Sequence, residues 1–302
     1  MKPVETLGFI GLGVMGEPMC ANLIAKSERR VFGADTRPEP VARLAARGLS
    51  ACGSVAEVAA AADVIFLSLP SGTEVEAVCL GDGGIAQAGG RAHTIVDMST
   101  SAPKLMRELA SKLAERNIGF LDAPVARTRQ AAHDGTLSIM VGGPADLFEA
   151  VRPLLACMGS EITHCGAVGA GQAVKILNNM VLFITVEALA EALTIGRRAG
   201  VDGKLLFEVM SKGSADSFAV RNHGLKALVP GIFPNDAFPT NYALKDIRLA
   251  LDLAAEGGVA TRGARTTCDL LEATSRAGYG AQYWPAIVKL IESNGTSTKA
   301  QS

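Results

Sequence analysis

The sequence predicts two architectures in tandem: α/β with a doubly wound parallel sheet, then an all-α domain entered by one long interdomain helix. Three observations lead there. Short apolar runs alternate with helical patterns as far as Cys165, and strands alternating with helices of about ten to fifteen residues build a parallel sheet. A spaced triplet of glycines follows the first apolar run. Beyond that half only helical periodicity remains, so the domains are expected at 1–167 and 168–302.

The elements follow in order. Leu7-Gly8-Phe9-Ile10 is a short strand, Gly11-Leu12-Gly13-Val14-Met15-Gly16 a glycine turn, and a helical pattern runs on through Lys26. A second strand, Arg30-Val31-Phe32-Gly33-Ala34, ends at Asp35. Helices are then expected over 40–47, 74–80, 102–116 and 144–158, and strands over 63–69, 94–98, 118–122, 136–141 and 161–165. From Gly169 the pattern gives helices over 173–199, 203–212, 242–256, 262–277 and 283–293, with a small polar tail, 294–302, expected to fray.

The glycines fit G-x-G-x-x-G in the context that gives this motif meaning, after a strand and opening a helix. Gly11 permits the tight turn, Gly13 admits a pyrophosphate to the backbone, and Gly16 lets helix and strand pack closely. Leu12, Val14 and Met15 complete that turn, and the helix N-terminus offers free N–H groups to phosphate. This is a Rossmann-type dinucleotide site. Asp35, nineteen residues past Gly16, is placed to accept the ribose hydroxyls and to repel a 2′-phosphate, which favours NAD over NADP. Thr36 and Arg37 adjoin it, and Arg37 is the counter-signal, since a guanidinium can bind that phosphate. Ligands of open α/β sheets sit outside the carboxyl ends of the strands, which adds Leu69, Pro70, Glu74 and Thr100 to the cofactor set and places Ser99 towards the substrate.

The charge balance, Lys+Arg 29 against Asp+Glu 30, leaves a net charge of −1. Such a chain has no broad basic field for nucleic acid or an anionic membrane, so the partner expected is a small anionic substrate met in a local pocket. Six cysteines are scattered without metal-ligand spacing, which points to reduced thiols and no metal site. His93, His133, His164 and His223 show no such spacing either and are expected on loops or the surface. The N-terminus lacks a signal peptide's apolar stretch, and charged and amide residues break the longest apolar run, so a cytoplasmic protein is expected.

The chemistry is expected in the stretch from Gly169 to Asn179, which opens the long helix. Lys175, Asn178 and Asn179 are its polar exceptions, and residues three and four apart share a helical face. An amine on an apolar helix is pushed towards its neutral form, and a nearby cation such as Arg127 or Lys245 acts the same way. Lys175 is then suited to exchange a substrate's hydroxyl proton.

With these pieces in place the chain resembles the β-hydroxyacid dehydrogenase family over nearly its whole length. The matching blocks are Gly8 to Gly16, Asp97-Met98-Ser99-Thr100, Asp122-Ala123-Pro124-Val125, Gly135-Thr136-Leu137, Gly169 to Asn179, and Lys245-Asp246. The resemblance implies that Lys175 is the catalytic lysine, that Asn179 contacts substrate, and that Lys245 closes over substrate and cofactor. Where most members carry Ser-Gly-Gly, this chain has Ala126-Arg127-Thr128. That segment is similar to the one in sulfolactaldehyde reductases, which bind a sulfonate, although Leu182 stands where that branch is expected to carry a serine. The implied substrates are sulfolactaldehyde, 3-hydroxyisobutyrate or tartronate semialdehyde. An imine reductase and a non-catalytic dinucleotide-binding module are the alternatives. Long Ala/Leu-rich helical faces suggest a homodimer or homotetramer.

Overall fold

The computed structural model describes residues 4–235 and 237–297. The chain divides into two compact units between Lys175 and Ile176. In the first, the strands are β1 (Thr6–Ile10), β2 (Arg30–Ala34), β3 (Ser50–Ala51), β4 (Val64–Leu67), β5 (Thr94–Asp97), β6 (Gly119–Asp122), β7 (Val125–Ala126), β8 (Leu137–Gly142) and β9 (Gly159–Gly166). The helices between them are α1 (Gly16–Lys26), α2 (Pro38–Ala45), α3 (Val55–Ala61), α4 (Gly72–Leu80), α5 (Ile85–Ala88), α6 (Pro103–Ala114), α7 (Arg129–Asp134) and α8 (Ala145–Leu155).

The strand order is β3-β2-β1-β4-β5-β6-β8-β7, with β9 paired to β8. Leu7 sits between Val31 and Val64, and Ile65 pairs with Ile95. Strands covered on both faces read as unbroken apolar runs, and Val-Ile-Phe-Leu of β4 is buried at every position. Alternate side chains serve opposite faces. Phe9, Phe66, Val96 and Leu121 pack with α1 on one side. Ile10, Ile65, Leu67, Ile95 and Phe120 pack with α3 and α6 on the other. Successive strands are added first on one side of β1 (β2, β3) and then on the other (β4, β5), so the carboxyl ends of β1 and β4 form the switch point where such sheets bind ligands.

The sheet departs from the all-parallel expectation at its far edge, where β8 runs antiparallel to β6 and β7. Only residues 127–136 separate β7 from β8. A parallel return needs a crossover of about a dozen residues or more, whereas an antiparallel one fits a short link. The α8 crossover then restores a parallel pairing of β8 with β9.

The second unit is helical. The 29-residue α9 (Ala170–Arg198) begins in the first unit and continues through the second. It is followed by α10 (Gly203–Met210), a π-helical segment Val220–Leu228, α11 (Thr240–Glu256), α12 (Arg262–Thr274), a 3-10 turn Trp284–Ile287 and α13 (Val288–Ser297). Phe183, Val186, Ala190 and Leu193 form the inward stripe of α9 and pack with Phe207, Leu244, Ile247, Leu271 and Trp284. By length and composition alone, α9 is long and apolar enough to cross a membrane, with the charged and amide residues that interrupt its apolar run standing where the sequence has them.

α13 runs four residues past the expected helix end at 293, and residues 298–302 of the tail lie outside the described part. One further expectation is revised. His223, expected on a loop or the surface, is 7% exposed and packs among Phe218, Tyr283 and Trp284. The segment carrying it has no clear 3.6-residue pattern, because its turns are wider than those of an α-helix.

Candidate active site

The glycine turn is shaped by close approach. Gly11 has φ 91° and lies against the carbonyl oxygen of Ser68, so a side chain is excluded by conformation and by space. A methyl at Gly16 would overlap the carbonyl oxygen of Gly11. Gly13 differs, because its missing Cβ would meet nothing nearer than Arg37 Nη2 at 3.8 Å. Two glycines thus pack the turn and the third leaves room beside the first turn of α1, at the positive dipole end that favours an anion. These features fit a dinucleotide pyrophosphate. Glu17 in that turn would oppose a phosphate, but Arg43 holds it through two hydrogen bonds of 2.7 Å. Leu12 is buried, Met15 half-buried and Val14 exposed.

Asp35 follows the last residue of β2. Its carboxylate accepts the N–H of Leu12 at 2.6 Å and that of Arg37 at 2.8 Å. The Arg37 guanidinium lies 3.3 Å from the same carboxylate, and its Nη2 donates to the Leu12 carbonyl at 3.3 Å. Asp35 is therefore fixed at the mouth of the turn. Thr36 and Arg37 are exposed beside it.

A buried polar cluster joins the next strand ends to α9. The Ser99 hydroxyl accepts the N–H of Leu69 at 2.9 Å, and the Ser99 N–H donates to Asp97 at 3.0 Å. Gln172, from the first turn of α9, donates to the Ser99 carbonyl at 2.8 Å and accepts the N–H of Ser101 at 3.0 Å. Asp122, at the end of β6, accepts the N–H groups of Gly169 at 2.6 Å and Gln172 at 2.8 Å. Burial pushes the Asp122 carboxyl above the ordinary aspartate range, and these N–H groups draw it back part of the way. Gly142 and Gly171 leave no room for a Cβ against this carboxylate, which is how the helix end comes so near. Thr100 is half-buried alongside, Pro70 is exposed, and the exposed Glu74 accepts a hydrogen bond from the Ser71 hydroxyl.

Lys175 lies three residues beyond Gln172 on α9 and is half-buried rather than enclosed, with its neighbours Val174 and Leu177 open to solvent. Asn178 is exposed and donates to Asn179 Oδ1 at 3.2 Å. Within the helical unit, Asn179 donates at 2.8 Å to the buried carboxylate of Asp246, which also pairs with Lys245 at 3.5 Å. Ala126 lies on β7. Thr128 caps α7 through the N–H of Ala131. Arg127 turns to the sheet edge, where Nη1 donates to the Thr136 carbonyl at 2.6 Å and to the Ser160 hydroxyl at 3.0 Å. Its φ is 86°, the backbone region that a glycine fills without strain.

This two-part arrangement of nucleotide unit and helical unit has known counterparts. Residues 6–166 match the family described as the NAD-binding domain of 6-phosphogluconate dehydrogenase, and residues 169–291 match one described as NAD-binding of NADP-dependent 3-hydroxyisobutyrate dehydrogenase. A 2-(hydroxymethyl)glutarate dehydrogenase of Eubacterium barkeri is 38% identical, covering 97% of this chain and 96% of that protein. The chain belongs to the β-hydroxyacid dehydrogenase family. As a member it is an oxidoreductase of hydroxyacids with a nicotinamide-nucleotide-binding domain. The 2-hydroxy-3-oxopropionate reductase of Escherichia coli is 35% identical over 95% of this dehydrogenase and 97% of its own length. The Mycobacterium tuberculosis 3-hydroxyisobutyrate dehydrogenase structure, titled with L-serine, aligns with a TM-score of 0.87 at 32% identity over 96% of this chain and 99% of that one.

Asp122, Gln172 and Asp246 stood in the sequence only as members of matching blocks, with no role of their own. Gln172 and Asp122 are polar residues in largely apolar stretches, the one signal that marks them, whereas Asp246 stands beside Lys245 and Arg248. What each bonds to depends on contacts 47 to 73 residues apart.

Proposed function

We propose that this dehydrogenase uses NAD to interconvert a small 3-hydroxyacid and its semialdehyde, with Lys175 as general base in oxidation and general acid in reduction. The observation that carries this is the anchoring of α9: the helix turn before Lys175 is hydrogen-bonded to strand ends of the nucleotide-binding sheet at Ser99, Ser101 and Asp122. An amine so placed is held by the same framework that positions a cofactor, as proton transfer during hydride transfer requires. Nicotinamide supplies the hydride chemistry when bound. In oxidation, the alcohol carbon gives up hydride while its hydroxyl proton passes to the Lys175 amine, and reduction reverses both transfers. Asp35 supports NAD, because a fixed carboxylate disfavours a 2′-phosphate.

The substrates in the relatives' names are all small carboxylates whose reacting carbon is one carbon away from the one bearing the acid group. A carboxylate also suits the loop geometry, because the Arg127 guanidinium is engaged by Thr136 and Ser160. A sulfonate is the second reading, favoured by the retention of Arg127 in backbone that would suit glycine better. Turnover of 3-hydroxyacids, semialdehydes and sulfonated analogues with NAD and NADP, repeated in Arg127→Gly, separates the two. Carboxylate turnover that survives the substitution supports the first reading. Selective loss of a strong sulfonate activity supports the second.

We also infer a homodimer or homotetramer. Val174, Leu177 and Val181 are 45%, 42% and 58% exposed at helical spacing on α9, an apolar stripe that a second copy of the chain would cover. Light scattering on the purified protein tests it, and a monomer at micromolar concentration would contradict it.

A further inference from the structure

The Gln172 carboxamide bonds to the backbone on both sides of Thr100, donating to the carbonyl of Ser99 and accepting from the N–H of Ser101. In a parallel ladder, a residue bonds in the same way to the neighbours before and after its partner. The side chain therefore continues the sheet's hydrogen bonding past the end of β5, with Thr100 in the place of the paired residue. Gln172, Ser99 and Ser101 are 0%, 4% and 2% exposed, so water does not compete for these bonds. The backbone N–H of Gln172 meanwhile donates to Asp122 on β6. One residue is thus held to β6 by its main chain and to the segment after β5 by its side chain, and Lys175 follows on the same helical face.

We propose that Gln172 is a positioning residue that fixes the spacing between Thr100 and Lys175. The proposal rests on the assignment of Lys175 as acid/base and concerns what sets its place relative to the strand end. Asp122 anchors the helix end separately, through Gly169 and the close contact at Gly171. Removing the Gln172 amide therefore leaves α9 attached to β6 and frees only the 99–101 segment against it. The consequence falls on the alignment of reacting groups rather than on cofactor affinity, beside the modest loss of stability that two unpartnered buried backbone groups bring.

The test uses the full-length enzyme and three variants. Gln172→Met keeps the side-chain length and removes both hydrogen bonds, Gln172→Glu keeps the acceptor for Ser101 and loses the donor to Ser99, and Lys175→Ala tests the underlying assignment. Single-turnover hydride transfer is followed through NADH absorbance with protiated and deuterated substrate, beside NADH affinity and thermal midpoint. In Gln172→Met the transfer rate should fall by up to about 10²-fold, the scale of a misplacement near 1 Å. NADH affinity should hold, the thermal midpoint should fall modestly because two buried backbone groups lose their partner, and the transfer rate per folded molecule should fall in Gln172→Glu as well. A wild-type rate in Gln172→Met beside an inactive Lys175→Ala overturns the proposal and leaves the lysine's role intact. An active Lys175→Ala instead overturns the assignment beneath it. Failure of both Gln172 variants to fold, or a rate loss equal to the loss of folded protein, assigns Gln172 to folding and overturns the proposal as well.

Discussion

The N–H of Leu12 donates to the Asp35 carboxylate at 2.6 Å, tying the glycine turn after β1 to the end of β2. This bond fixes a negative charge where the adenosine ribose of a dinucleotide is expected to lie. Asp35→Asn keeps an oxygen for the Leu12 N–H and removes the charge, while Arg37 stays in reach. The ratio of kcat/KM for NAD to that for NADP should fall at least about tenfold, equivalent to about 1.4 kcal/mol. Steady-state kinetics with both cofactors checks this, and an unchanged ratio would remove Asp35 from the account of cofactor choice.

Asp122 is expected to matter for stability. It is fully buried and accepts two N–H groups at the start of α9. Asp122→Ala leaves both donors without that acceptor, and each unsatisfied buried group costs about 1–3 kcal/mol. The midpoint of denaturant unfolding should drop accordingly, and a midpoint equal to wild type would show that the helix end finds other partners.

Much of the fold could be read from the residues because apolar runs and glycines report local constraints directly. The runs at Phe9, Ile65 and Val96 foretell a two-sided parallel sheet, and the glycine spacing at Gly11, Gly13 and Gly16 foretells the turn. The antiparallel β8 was hidden, since direction is set by the length of the 127–136 link and not by composition. Short α3 was hidden too: Val-Ala-Glu-Val-Ala-Ala-Ala has no strong apolar stripe, and its start is marked mainly by the Ser54 cap. At the site, Lys175 stood out as a charge in an apolar helix. The bonds of Gln172 and Asp246 join residues far apart in sequence, and only the folded chain brings them together. Arg127 illustrates the same limit, since its sequence context suggests an anion ligand and the fold engages it with Thr136 and Ser160.

The helical unit should lose stability in mild acid through His223. Burial lowers its pKa from the usual 6.5 to about 4, and its Nδ1 has no hydrogen-bond partner among the described residues. Between these values the unfolded chain binds a proton that the folded chain does not, so stability rises with pH. The contribution is complete above 6.5 and is lost as pH falls towards 4, amounting to at most about 3 kcal/mol. His223→Phe should flatten the stability profile across this window. An unchanged slope, measured by chemical denaturation at a series of pH values, would place the sensitivity elsewhere.

The proposed function stands on the Lys175 amine exchanging the substrate's proton while hydride moves. Its most direct test is the single-turnover rate of hydride transfer in Lys175→Ala, with cofactor binding measured in the same samples. A loss of about 10²–10⁴-fold is expected, with NADH still bound normally. A transfer rate equal to that of the unmodified enzyme would contradict it.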